Sequence, residues 1–293
     1  MVDPNLLIGL SMLTTGLVLG AIFALTAAGV TIVYGCIWLP NAASGQLFLL
    51  APLVAWSLCT AMGWSPILAV PAVLIGGVPL AYLLERLLIR RFYDVPDRNI
   101  AYFVVTLGIT QILSGVFSIT WGQWSDQYNI PPLAEGVVFI GPFPLPANRL
   151  IALIGALALL GALFVGLRYH RFGRALRAVF QNREAAALRG VDVQRIYLGA
   201  FLLGTSVIFA GGLLYAMAYS FDLSVAWSMG ITAFAIMIVG GPGSVLGALV
   251  VGMLFGFVQA AVSVFASPTA ATLSYLLAML VILLLRPSGL FAR

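Results

Sequence analysis

LIALIGALALLGALFVGLRYHRFGRALRAVFQNREAAALRGVDVQR, residues 150–195, changes character at one point. Up to Leu167 it runs eighteen residues without a charge, close to the ~20 that a helix needs to cross the hydrocarbon of a bilayer. From Arg168 onward it carries seven arginines in twenty-eight residues. The same alternation recurs along the chain. Thirteen of fourteen arginines fall in residues 86–98, in residues 168–195 or after Leu285, only Arg149 lies elsewhere, and lysine is absent. Arginine at the centre of a bilayer costs about 2.5–3.5 kcal/mol on insertion scales, and basic residues collect in cytoplasmic loops. All three places are therefore predicted on one, cytoplasmic, side.

Composition leads to the same class: 62% hydrophobic and 8% charged residues, with mean hydropathy +1.10, against a charged fraction of about 25% in soluble domains. The formal charge of +5 is an orientation signal and an affinity for anionic headgroups; it does not point to nucleic acid. Cys36 and Cys59 sit in or beside apolar runs and read as small buried residues, not a disulfide. Met1 to Leu7 has no basic n-region, so the first apolar run is expected to be retained as a spanning helix that starts outside.

Apolar runs lie at Leu6 to Tyr34, Gln46 to Met62, Pro66 to Leu84, Ile100 to Ile119, Arg149 to Leu167, Ile196 to Ser220, Val245 to Phe265 and Ala270 to Leu285, with a shorter one at Met229 to Val239. The expectation is an all-α polytopic membrane protein with about eight full crossings and one short or broken helix, its N-terminus outside and its C-terminus cytoplasmic. Residues 1–293 form a single transmembrane domain, with a cytoplasmic segment at 168–195. Trp121, Trp124 and Tyr128 open a proline-rich stretch ending near Pro146, read as an interfacial aromatic belt and an ordered external loop.

Two interruptions divide the apolar pattern, Tyr34-Gly35 through Leu39-Pro40-Asn41-Ala42-Ala43-Ser44-Gly45-Gln46 and Gly240-Gly241-Pro242-Gly243-Ser244. Broken backbone at membrane depth is tolerated only against protein or a watery cavity, and paired breaks in two halves of a chain point to a translocation path. Ordinary surface loops are the alternative. Small residues at four-residue spacing flank the breaks, Gly16, Gly20, Ala24 and Ala28 before the first and Ala248, Gly252, Gly256 and Ala260 after the second, which lets helices approach closely.

In the segment 168–190, Phe172, Leu176, Val179, Phe180, Ala187 and Leu188 share one side of a helical wheel, and Arg174, Arg177, Arg189 and Glu184 spread over the rest. Gly190 is placed to stop the helix. Such a segment lies at the headgroups or docks its apolar side on a cytoplasmic partner. Glu184-Ala185-Ala186-Ala187-Leu188-Arg189-Gly190 resembles the EAA-three-residues-Gly motif of ATP-binding cassette importer permeases. Asn41-Ala42-Ala43-Ser44-Gly45, Gly240-Gly241-Pro242-Gly243-Ser244 with Gly247-Ala248, and Arg286-Pro287-Ser288-Gly289-Leu290 follow the order of the LivH-type permeases of branched-chain amino acid uptake systems, over nearly the whole chain. The first break departs from many relatives, with Ser44 and Gln46 where they carry a histidine and an acidic residue.

The resemblance implies a non-catalytic permease subunit of a bacterial inner-membrane importer for a small polar solute such as a branched-chain amino acid or an amide. Implied partners are a second permease, identical or related, two cytoplasmic ATP-binding cassette subunits carrying ATP-Mg, and an external solute-binding protein. No cofactor is expected on this chain. Coupling to the ATPase would fall to Leu176, Val179 and Leu188 in a partner groove, Arg174, Arg177 and Glu184 at its rim, small Ala185 and Ala186, and the Gly190 cap.

The residues themselves bear on the energy source. Every Asp and Glu lies near a loop or helix end, Asp222 at an external boundary, whereas a proton-coupled carrier is expected to hold an ionisable group within its spans. Without lysine no G-x-x-x-x-G-K-[ST] phosphate loop exists. His170, the single histidine, rules out a His-based triad or metal cluster. A path must then be lined by neutral groups: Asn41, Ser44 and Gln46 in the first break, Gly241, Gly243 and Ser244 in the second, and on the fourth helix Thr106, Thr110, Ser114 and Ser118 with Gln111 beside them. Interhelical packing is the other reading of those hydroxyls. An uncharged path also permits a facilitative channel for a small neutral solute.

Overall fold

A computed structural model describes residues 4–37, 41–92, 98–123, 127–134, 136–140, 143–286 and 289–291. Eleven helices run in order: α1 Pro4–Ile37, α2 Ser44–Ala61, α3 Pro66–Leu84, α4 Arg98–Thr120, α5 Ala147–Tyr169, α6 Arg171–Gln181, α7 Arg183–Leu188, α8 Val193–Ala218, α9 Val225–Gly240, α10 Val245–Phe265 and α11 Pro268–Leu285. Strands β1 Val137–Ile140 and β2 Phe143–Pro146 form an antiparallel hairpin before α5. Among the described residues seven helices are long and apolar enough to cross a membrane, and α9 and α11 are shorter apolar ones. The chain is thus an all-α multi-pass membrane protein, with nine apolar helices in the described set. The last, α11, which Pro268 opens and Arg286 caps, has 18 residues, as many as the spanning α2.

Helix α1 is the axle of the bundle. Its 34 residues extend about 51 Å at 1.5 Å per residue, and almost every residue from Val18 to Val33 is buried. The two small-residue stripes face each other there. A Cβ on Gly252 would strike the backbone of Ala24, one on Gly256 the backbone of Gly20, and one on Gly16 Phe257. On another side Gly29 of α1 meets Gly204 of α8, and Gly211 meets the Thr26 hydroxyl. In lipid no hydrophobic force drives helices together, so such close backbone contact supplies the packing.

At the end of the bundle opposite the arginine clusters, aromatic residues lock the loops. Tyr128 pairs with Phe221 through an isolated antiparallel bridge and stacks on its ring, Trp56 meets Tyr128 edge-on at 5.0 Å, and Trp121 Nε1 donates to Ser57 Oγ at 2.8 Å. Trp124 lies outside the described residues. Arg149, apart from the clusters, donates to the Ala218 carbonyl at the end of α8 and lies over the Tyr219 ring, 4.9 Å from its centre. Burial pushes the Tyr219 hydroxyl up to about 12.

The segment 168–190 differs from the single helix that its periodicity predicts. Asn182 adopts an extended conformation and its Oδ1 accepts from Glu184 N (2.9 Å) and Ala185 N (3.0 Å), ending α6 and capping α7. Ala187 and Leu188 therefore leave the face shared by Phe172, Leu176, Val179 and Phe180. Helix α3 also runs on beyond Leu84, through a π-helical turn at Glu85–Ile89 that buries Glu85.

Candidate functional site

Asn41, Ser44 and Gln46 gather at the start of α2, each at least nine-tenths buried. Helix α1 continues through Gly35 to Ile37, and Asn41 lies beside Val30, back inside the bundle; Leu39 and Pro40 lie outside the described residues. Helix α2 thus begins within protein, where its unpaired N–H groups need acceptors. Side chains supply acceptors just ahead of it, Asn41 Oδ1 accepting from Ala43 N at 3.0 Å and Thr106 Oγ1 from Ala42 N at 3.3 Å, while the Ser44 hydroxyl donates to the Asn41 carbonyl at 2.9 Å.

A cavity of about 250 Å³ opens beside this segment, lined by Asn41, Ser44, Gln46 and Thr110 among apolar residues that include Val30, Phe103, Leu107, Trp227, Ile231 and Phe234. The start of α9 faces the start of α2 across it, so closely that a Cβ on Gly45 would strike the Ala226 carbonyl. Two helix N-termini, each the positive end of its dipole, converge on the chamber. Gln46 Oε1 has no hydrogen-bond partner among the described residues. Among the described residues no Asp, Glu, Arg or His lines the chamber, and no group of three or more His, Cys, Asp or Glu side chains is able to hold a metal. The arrangement can bind and orient a small solute through amide, hydroxyl and helix-end groups.

Of the residues expected on a path, the chamber brings together Asn41, Ser44, Gln46 and Thr110, with Thr106 bracing the break from behind. Thr106 and Thr110 also bond back within α4 to the carbonyls of Phe103 (3.0 Å) and Thr106 (2.8 Å). Gln111 is exposed on the outer face of α4 and does not line the cavity. Gly241, Gly243 and Ser244 lie elsewhere. They form the tight turn between α9 and α10, with Gly241 at φ +96° and Gly243 at φ +81° and with Ser244 Oγ capping α10 at Gly247 N, 3.1 Å. This turn touches Gly35 of α1, Phe180 of α6 and Gly289 of the tail, and Leu290 N donates to the Val239 carbonyl at 2.8 Å; Pro287 and Ser288 lie outside the described residues. The second break is thus a joint at the arginine-bearing end, where Gly241 and Gly243 supply the left-handed backbone of the turn.

Leu176 and Val179, expected in a partner's groove, are 1% and 2% exposed and belong to this chain's own core. The reason is that the apolar stripe of α6 folds back on the bundle, Phe180 against Gly35 and Phe172 against Gly199. Arg174 and Arg177 likewise donate to the last carbonyls of α5, at Tyr169 and at Leu167 and Arg168, where a cation meets the negative helix end. Ala186 is buried, while Glu184, Ala185 and Leu188 remain open, Leu188 at 90% exposure. Gly190 does stop α7, at φ +82°. The apolar chamber wall from α9 escaped sequence reasoning, because hydrocarbon side chains carry no path signal; the one usable sign was Asp222 ahead of Ser224, whose N–H it accepts at 2.7 Å just before α9.

Comparison with known proteins agrees with this architecture. The chain is 27% identical to the high-affinity branched-chain amino acid transport system permease protein LivH of Escherichia coli K12, over 97% of this chain and 96% of that one. It is 26% identical to BraD of Pseudomonas aeruginosa, a permease of the same description, over 99% and 98%. The solved structure of PsaBC from Streptococcus pneumoniae in complex with Fab has the same fold, with a TM-score of 0.51 at 13% identity over 93% of this chain and 91% of that one. The family described as branched-chain amino acid transport system / permease component matches residues 12–285, and the chain belongs to it.

Proposed function

We propose that this chain is the membrane-spanning permease subunit of an ATP-driven, binding-protein-dependent importer in a bacterial inner membrane. It passes a small polar solute of the amino acid or amide class through the chamber at the start of α2. The observation that carries the reading is Gln46, 3% exposed with an unpaired Oε1, in a mostly apolar cavity where two helix N-termini meet. A buried acceptor without a partner is costly, and a donor on the solute relieves it. The N-terminus lies outside and the C-terminus inside, as the arginine clusters require.

ATP-Mg binds on two cytoplasmic partner subunits, and a second permease, identical or related, completes the path. Glu184, Ala185 and Leu188 on the open side of α7 form the docking surface for an ATPase. From there α6 reaches the joint through Phe180, and α9 is a rod of about 24 Å from that joint to the chamber wall. Motion at α6 is thereby delivered to the solute site.

The test is uptake into proteoliposomes by the chain with its copurifying ATPase and binding protein. Gln46→Leu is expected to lower uptake about tenfold, as loss of about 1.4 kcal/mol of solute stabilisation requires, with stimulated ATP hydrolysis retained. Unchanged uptake in that variant removes the chamber from the path. Uptake by the wild-type chain without any ATPase subunit favours a facilitative channel.

A further inference from the structure

A groove of about 570 Å³, sharing no lining residue with the chamber, lies between α3 and α5 with α8 as its floor. Ile75 and Val78 form one wall, Leu159 and Leu163 the other, and Leu203 and Val207 the base. Apart from Ser206 and His170, every lining residue is hydrocarbon or glycine. The walls face outward, with Ile75 at 72% and Leu159 at 41% exposure, so the groove opens to the membrane.

One end of the groove is bordered by His170, with two exposed arginines close to it along the chain. His170 lines it, Arg168 follows the lining residue Leu167, and Arg171 opens α6. Arg90, beyond the end of α3, is held over the start of α8 by Gln194 Oε1 at 3.0 Å. Among the described residues none of Arg90, Arg168 and Arg171 has a carboxylate within ion-pair distance. His170 Nδ1 accepts from Phe172 N at 3.2 Å, which leaves Nε2 as the protonated donor.

We propose that this groove is a binding site for a phospholipid with an anionic headgroup, one acyl chain lying between α3 and α5 and the phosphate meeting His170 and the neighbouring arginines. Charge complementarity selects the occupant. The groove's hydrocarbon is no better a neighbour for an acyl chain than bulk lipid is, so shape retains the chain and the basic rim chooses the headgroup. The site stands whether or not the chamber carries solute.

The complex, purified in nanodiscs of equal parts palmitoyl-oleoyl phosphatidylglycerol and the matching phosphatidylcholine, is released into mass spectrometry with its tightly held lipid. One phosphatidylglycerol per copy of this chain is expected. Ala162→Trp, which fills the groove, is expected to lose that lipid. Arg168→Gln with His170→Gln, which leaves the groove open, is expected to lower the preference for phosphatidylglycerol about tenfold with the complex intact. Retention of equal amounts of both lipids by the wild-type complex overturns the proposal, as does undiminished phosphatidylglycerol in both variants. A wild-type complex without bound lipid, in which Ala162→Trp breaks subunit assembly, overturns it in favour of a protein partner in the groove.

Discussion

Thr106 performs two tasks with one hydroxyl, donating to Phe103 O and accepting from Ala42 N. Thr106→Val keeps the shape and removes the acceptor, so the buried Ala42 N–H loses its partner at a cost of about 1–3 kcal/mol. The expected result is a lower melting temperature in detergent together with reduced uptake, and an unchanged melting temperature would show that the brace is dispensable. Gly190 is a second position with a definite expectation. Its φ of +82° costs a β-branched residue about 1–2 kcal/mol, so Gly190→Val is expected to insert normally, bind the ATPase less tightly and lose solute-stimulated hydrolysis. Copurification and ATPase assays check this; normal values in both return α7 to a headgroup helix. Asn41, Ser44 and Gln46 stood out in the sequence because a broken apolar run at membrane depth must meet protein or water, although a surface loop carries the same residues. Phe103, Ile231 and Phe234 did not, since the same side chains also face lipid.

At the scale of elements, the spans were legible because hydrocarbon thickness fixes their length, and α1 to α5, α8 and α10 stand close to where their apolar runs predicted. What failed was the junction at Asn182. Apolar periodicity carried through it, and yet an Asn two residues ahead of Glu184 is an N-cap signal in its own right. Asn182→Ala is expected to cost about 1 kcal/mol of α7 and to let α6 and α7 fuse into one helix, which would swing Leu188 onto the α6 stripe. Spin-label distances between residues 177 and 188 check that change, and an unaltered distance distribution would mean that the break does not depend on the cap. The second interruption teaches a related lesson. Gly241 and Gly243 signalled a turn correctly, but a turn signal carries no depth, and their place at the α6 joint came only from packing.

For the whole molecule the stripes of Gly16, Gly20 and Ala24 against Gly252 and Gly256 set the architecture. Gly256→Leu would drive a side chain into the Gly20 backbone, where neither partner can yield, and is expected to abolish the folded permease; size-exclusion profiles and protease resistance read the outcome, and a native profile would show that α1 can be repositioned. Pattern alone gave both stripes, though not that they meet each other, because four-residue spacing says how close a helix can come and nothing about which helix comes. The central place of α1 has a consequence for biosynthesis. It leaves the ribosome well before α10, whose glycine partners follow more than two hundred residues later, a delay on the order of ten to fifty seconds at about 5–20 residues per second. During that interval the axle has no wheel: α1 must be sheltered in the insertion machinery or wait in lipid with its small-residue face unclaimed, so the bundle closes around it only once α10 has been made.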